Sequence, residues 1–292
     1  MNNIDYAIYS SKEIQSSTQA IYTDGPCNFT IVDRKYITPT VFILILKDNN
    51  NTPFTGVELG GHLRFFIPPA PRSVENQWNG ANDIESRELI KRVYTPIFVD
   101  PQNKLLHFAI RVYEPCEEFC DGGKCSRSLA NLPLNSEVSC QVVPGKLHYK
   151  TPSQFAFQSS IFTVKKVAFI AGGTGITLFY RIISNIIHNP SDNTEIILLF
   201  SVRNIDEIIL HQALEQFDSP LLFKKYFITK PAVTADYINS GTIVSGFINK
   251  EILTTKVKDC CHTFICGPKP FNKYIHELLI ELGVANDRIT PI

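Results

Sequence analysis

Near Phe162 the hydrophobic rhythm of this 292-residue chain changes, and the change limits the folds open to it. Before that point, from about Ile31, apolar and β-branched residues come in short runs, at 36–46, 62–67, 92–98, 105–113 and 137–143, broken by Pro, Gly and Asn. No long helical period interrupts them, which predicts an antiparallel β-barrel or sandwich. After Phe162, strand-like runs at 167–171, 195–202, 223–229 and 263–266 alternate with helical ones. Ile176, Phe179, Tyr180, Ile183 and Ile187 share one helical face, 206–217 and 246–253 read as helices, and 270–282 reads as a helix stopped by Gly283. Alternating units predict a parallel sheet with helices on both faces, whose ligands sit beyond the carboxyl ends of the strands.

The length suits two domains of about 130 to 150 residues each. The expected organisation is a polar N-terminal tail at 1–27, an antiparallel β-barrel domain at 28–160 and an α/β domain at 161–292. Residues 69–90, with Pro68-Pro69, Pro71 and the only tryptophan, Trp78, read as a polar surface insertion with a helical piece near 83–89. Apolar residues at 44% and charged ones at 19% describe an ordinary folded protein, and 28 basic against 28 acidic residues exclude a global field drawing it to nucleic acid. Apolar runs fall short of the roughly eighteen residues that span a bilayer, so no transmembrane segment is expected. Without a secretion signal, the eight cysteines read as reduced thiols of a cytoplasmic protein, with peripheral membrane association left open, and the chain is expected to be a monomer. Cys116, Cys120 and Cys125 match neither a C-x2-C pair nor the plant-type iron–sulfur spacing, so no metal is expected.

Four short strings carry chemistry. In Arg92-Val93-Tyr94-Thr95, residues two apart share a strand face, so Arg92 and Tyr94 project together. A guanidinium beside a phenol suits a flavin nucleotide, the one pairing phosphate and the other packing on the ring system; a mixed exposed strand face is the alternative. Gly122-Gly123-Lys124-Cys125-Ser126 precedes a short helix at 127–132, where backbone N–H groups converge on an anion and Ser126 either caps the helix or binds phosphate. Ala171-Gly172-Gly173-Thr174-Gly175-Ile176-Thr177 joins a strand to an amphipathic helix, either as a dinucleotide turn or as a tight structural one. It is not G-x-G-x-x-G, because Leu178 stands in the third glycine's place. Cys266-Gly267-Pro268 ends the last buried run, where the thiol either reaches a nicotinamide or fills core.

Together these residues resemble the ferredoxin-NADP reductase superfamily, and within it the NADH-cytochrome b5 reductase branch, over about Ile31 to Ile289. The resemblance implies an FAD-binding barrel followed by a nicotinamide-binding α/β domain. It implies Arg92, Tyr94, Thr95, Gly122, Gly123, Lys124, Cys125 and Ser126 as flavin ligands, with Arg111 and Tyr113 nearby. Gly172, Gly173, Thr174 and Gly175 would approach NADH, with Thr177 near the flavin ring, and Cys266, Gly267 and Pro268 would flank the hydride path. Cys266 and Thr177 are thereby the catalytic candidates. The implied reaction passes hydride from NADH to FAD and electrons singly to a separate acceptor such as cytochrome b5. Val93, Leu178, Val142-Val143-Pro144-Gly145 and the terminal Pro291-Ile292 depart from the family's usual residues.

Nucleotide choice is expected to rest on Glu207, which matches the family's acidic residue at the adenosine ribose. A carboxylate about 5 Å from a 2′-phosphate charge costs roughly 3 kcal/mol at an effective dielectric of about 20, about a hundredfold in affinity. That favours NADH, while Arg203 and Ser201 favour a phosphate. Two alternatives stay open: an NADPH-dependent flavin reductase with a ferredoxin-like or diffusible acceptor, and a scaffold of the same fold without turnover.

Overall fold

The computed structural model describes Tyr9 and residues 25–50, 56–83, 88–158, 160–230 and 241–292. Residues 84–87 of the expected helical piece near 83–89, and most of the expected tail, lie outside the described residues. The described residues form two compact units, one within 25–145 and one of 146–292 that also takes in Tyr9.

The first unit is a seven-stranded antiparallel, barrel-like sheet in the order β6-β3-β9-β1-β2-β8-β7. Its strands are β1 (Cys27–Thr38), β2 (Val41–Asp48), β3 (His62–Ile67), β6 (Ile90–Tyr94), β7 (Phe98–Asp100), β8 (Leu105–Arg111) and β9 (Glu137–Val143), with a two-stranded hairpin of β4 (Gln77–Trp78) and β5 (Ala81–Asn82) inserted after β3. Residues two apart supply the core: Phe42, Leu44 and Leu46 of β2, Leu63, Phe65 and Ile67 of β3, and Leu106, Phe108 and Ile110 of β8 are at most 1% exposed. That alternation also fixes register, because a slip of one residue would turn each set to solvent. The single run expected at 36–46 is two strands, with Thr38 Oγ1 accepting from the Thr40 and Val41 amides at 3.2 and 2.9 Å to close the bend. Phe98 likewise falls in a separate strand from Arg92. Helix α1 (Lys124–Asn131) follows β8.

The second unit opens with an antiparallel sheet of β10 (Leu147–Thr151), β11 (Gln154–Phe157) and β12 (Ser160–Thr163). A six-stranded parallel sheet follows, ordered β16-β15-β14-β13-β17-β18. It comprises β13 (Lys166–Gly172), β14 (Glu195–Val202), β15 (Leu222–Ile228), β16 (Ile243–Ser245), β17 (His262–Cys266) and β18 (Ile289–Pro291). Val167 to Ala171 are fully buried without alternation, as in a strand covered on both faces. Its helices are α2 (Ile176–His188), α3 (His211–Glu215), α4 (Lys250–Ile252, continuing as a π-turn to Val257) and α5 (Lys269–Glu281). The helix expected at 206–217 is broken: a 3-10 turn spans Ile205–Glu207, and Leu210 is left-handed (φ 59°) just before α3. Among the described residues no helix is long and apolar enough to cross a membrane.

Candidate functional site

In the parallel sheet, β14, β15 and β16 are laid down on one side of β13, and the chain then crosses to place β17 on the other. Such a switch opens a crevice at the carboxyl ends of the two central strands. Both glycine motifs of this unit stand there, Gly172–Gly175 after β13 and Cys266–Pro268 after β17, with Ala171 paired to Cys266.

The glycines answer to specific crowding. A β-carbon on Gly175 would lie 1.9 Å from the Cys266 carbonyl oxygen, so the turn after β13 presses on the end of β17. One on Gly172 or Gly267 would lie 2.9 or 2.6 Å from the Phe271 ring, which packs on the core from the first turn of α5. Gly173 differs: its φ is +55° and nothing lies within 4 Å of an added β-carbon, an open face a dinucleotide can approach. The Thr177 hydroxyl donates to the Thr174 carbonyl at 2.9 Å, tying the first turn of α2 to the glycine turn. Cys266 is partly buried, and that burial pushes its thiol up to about 12, so it is an uncharged thiol at neutral pH and not a thiolate nucleophile.

At the end of β14, Arg203 is exposed and its carbonyl accepts from the Lys230 amide at 2.8 Å. Glu207 closes the 3-10 turn, its amide donating to the Asn204 carbonyl at 3.0 Å. Acid and base thus occupy the same strand-end loop, beside the start of the chain beyond β15.

The barrel-like unit holds the other cluster. Tyr94 pairs with Leu63 and Arg92 with Phe65 across β6 and β3. The Tyr94 ring meets Phe65 edge-on at 5.2 Å, and its hydroxyl donates to Cys125 Sγ at 3.3 Å. Burial first and the thiol second push that hydroxyl well above the usual phenol range, with the Arg92 charge opposing and Tyr113 adding to the rise. Tyr94 therefore stays a neutral donor, and Arg92, Tyr113 and Cys125 stand within electrostatic reach of it. Arg92 is exposed and donates to the Lys91 carbonyl at 2.7 Å. Thr95 is bonded to His62 Nδ1 at 2.8 Å, and Arg111 ends β8 opposite Val41.

The turn before α1 is built against Tyr113. Gly122 is left-handed (φ 61°), and a β-carbon there would stand 2.4 Å from the Tyr113 carbonyl. The Gly123 amide donates to that carbonyl at 2.7 Å, and Tyr113's own amide donates to buried Ser126 Oγ at 3.4 Å. Gly123 is the N-cap and no side chain caps the helix, so Ser126 braces the turn from inside and leaves the cap position open. An uncapped first turn with two glycines fits a phosphate-bearing cofactor, since helix N-termini present N–H groups and a favourable dipole. Lys124 points elsewhere, its Nζ 2.7 Å from Asp83. Asp83, Trp78, Asn79 and Asp121, all packed around this turn, were not assigned to the site from the sequence; the Asn79-Gly80 dipeptide, a hairpin signal, was the available clue. Among the described residues no group of acidic, histidine or cysteine side chains has metal-binding geometry.

Residues 169–277 match the family model of the oxidoreductase NAD-binding domain. The chain is 31% identical to NADH-cytochrome b5 reductase 2 of Xenopus laevis over 207 residues, covering 67% of this chain and 69% of that protein. It is 27% identical over 206 residues to the NADH nitrate reductase of Solanum lycopersicum, covering 67% of this chain but spanning only 22% of that longer protein. Among solved structures, the cytochrome b5 reductase domain of Ulva prolifera nitrate reductase superposes with a TM-score of 0.76 at 22% identity, covering 94% of this chain and 100% of that one.

Proposed function

We propose, because this chain belongs to the NADH-cytochrome b5 reductase family, that it carries electrons from NADH through FAD to cytochrome b5 or a similar one-electron acceptor. Membership makes it a flavoprotein oxidoreductase that uses FAD and NADH. FAD, when bound, supplies the redox chemistry, accepting electrons as a pair and releasing them singly. Support for the nicotinamide end comes from one observation: at the β13–β17 switch, the open face at Gly173 and the neutral Cys266 thiol stand at the ends of paired strands.

In this proposal Gly173 admits the dinucleotide to the backbone, while Gly172, Gly175 and Gly267 let the turn pack against Phe271 and the end of β17, and Thr177 fixes the turn. Cys266 lines the nicotinamide without carrying charge, and Pro268 sets the bend into α5. In the barrel-like unit, Arg92 neutralises phosphate, Tyr94 and Tyr113 pack on the flavin, and the first turn of α1 from Gly123 to Ser126 receives the pyrophosphate. Glu207 disfavours a 2′-phosphate, selecting NADH over NADPH. Purified protein should be yellow, bleach on adding NADH, recolour on adding oxidised cytochrome b5, and show a higher kcat/KM with NADH than with NADPH. A protein that cannot take up FAD would overturn the flavin assignment, and an NADPH preference would overturn the role of Glu207.

A further inference from the structure

Residues 72–83 do not run free over the barrel-like unit: their hairpin is stitched to the turn before α1. Asn79 and Gly80 both have positive φ (50° and 76°), as a two-residue turn of mirror-image type requires, and they join β4 to β5. The Gly122 carbonyl accepts two side-chain donors from this hairpin, Trp78 Nε1 at 3.0 Å and Asn79 Nδ2 at 3.1 Å. One residue earlier, the buried carboxylate of Asp121 accepts from the Ser73 amide (2.5 Å), the Ser73 hydroxyl (2.7 Å) and the Asn79 amide (2.6 Å). The Asp121 amide donates back to Asn79 Oδ1 at 2.7 Å. These bonds, the Ser73 hydroxyl foremost, hold the Asp121 carboxyl at about 2 against the opposing effect of burial. Two residues after Gly122, Lys124 Nζ lies 2.7 Å from Asp83 and 5.1 Å from the Trp78 ring centre, and Arg72 reaches Asp83 at 3.3 Å.

A Gly-Gly pair is the most flexible dipeptide a chain can offer, and a ligand that requires one arrangement of it must first freeze it. Here the peptide after Gly122 is already fixed on both sides, its oxygen by Trp78 and Asn79 and its N–H by the Tyr113 carbonyl. The Lys124 ammonium is drawn to Asp83, which leaves recognition at this turn to backbone N–H groups, whose directions depend on that peptide. We propose that the 72–83 hairpin is a clasp that presets the Gly122–Lys124 turn for the FAD pyrophosphate, with Asn79, Asp121 and Asp83 as positioning residues. This rests on the assignment of FAD to the first turn of α1.

The only tryptophan is part of the clasp, so its emission reports FAD arriving at this turn. Flavin-free wild type, Asn79→Ala and Asp83→Asn are titrated with FAD, following Trp78 quenching, with Arg92→Ala as the control for the flavin site itself. The clasp predicts about a tenfold loss of FAD affinity in each hairpin variant, about 1.4 kcal/mol, while the flavin-free variants melt within about 3 °C of flavin-free wild type. FAD affinity within twofold of wild type in both hairpin variants, with Arg92→Ala weakened, overturns the clasp and keeps the flavin assignment. Unchanged affinity in all three variants overturns both. A loss of affinity matched by a large drop in flavin-free melting temperature also overturns it, since the hairpin would then be stabilising the fold alone.

Discussion

Gly175 has no room for even one methyl group, because a β-carbon there would sit 1.9 Å from the Cys266 carbonyl. Gly175→Ala must push the turn after β13 away from the end of β17. Overpacking of this kind costs about 1–3 kcal/mol, and denaturant unfolding should register it together with a higher KM for NADH; an unchanged KM would remove the turn from the nucleotide site. At Cys266 the thiol, pushed up to about 12 by burial, is neutral throughout the working range. Cys266→Ala should therefore slow flavin reduction in stopped-flow without loss of bound FAD and without altering its pH profile between 6 and 9. A titration lost with the thiol would contradict this. The sequence could mark these positions as turn and strand end, since glycine and proline announce themselves. It could not show that Gly172 and Gly267 are small for Phe271 while Gly173 is open, because that depends on which side of each turn α5 packs.

At the scale of elements, the last helix was the most legible. Gly283 stops α5 in the left-handed conformation (φ 80°), with the Val284 amide bonded to the Leu279 carbonyl at 3.0 Å and the Gly283 amide to the Ile280 carbonyl at 2.9 Å. Gly283→Ala should cost about 1 kcal/mol, read as a lower urea midpoint; an unchanged midpoint would mean that the cap contributes nothing. Less legible were elements whose breaks carry no punctuation. Ile208, Ile209 and Leu210 are all buried, so their pattern continues a helix on paper, yet Leu210 turns left-handed to end the stretch. Between 36 and 46 one Pro-Thr pair amid β-formers marks a reversal that composition alone reads as a continuing strand. Strands β4 and β5 are two residues each, too short for any period to register, and only Asn79-Gly80 marked them.

For the molecule as a whole, acid should be the weak side. His107 in the barrel-like unit and His262 in the α/β unit are both lowered to about 4, burial outweighing the nearby Asp100 and Asp33 in the first case and Asp287 in the second. Unfolding returns each to about 6.5, so the unfolded chain binds more protons between those values. Stability from both is therefore complete above pH 6.5 and declines as pH falls towards 4. Urea midpoints should drop between pH 7.5 and pH 5 in wild type and drop less in the His107→Gln, His262→Gln double variant; equal midpoints at the two pH values would contradict it. A different consequence follows from the buried Tyr180 hydroxyl, which donates to the backbone carbonyl of Tyr9 at 2.7 Å across a separation of 171 residues. During synthesis Tyr9 leaves the ribosome long before its partner exists, and the whole barrel-like unit is made in between. Closure of so long a loop is slow, and this bond can form only after the barrel-like unit and α2 have been made.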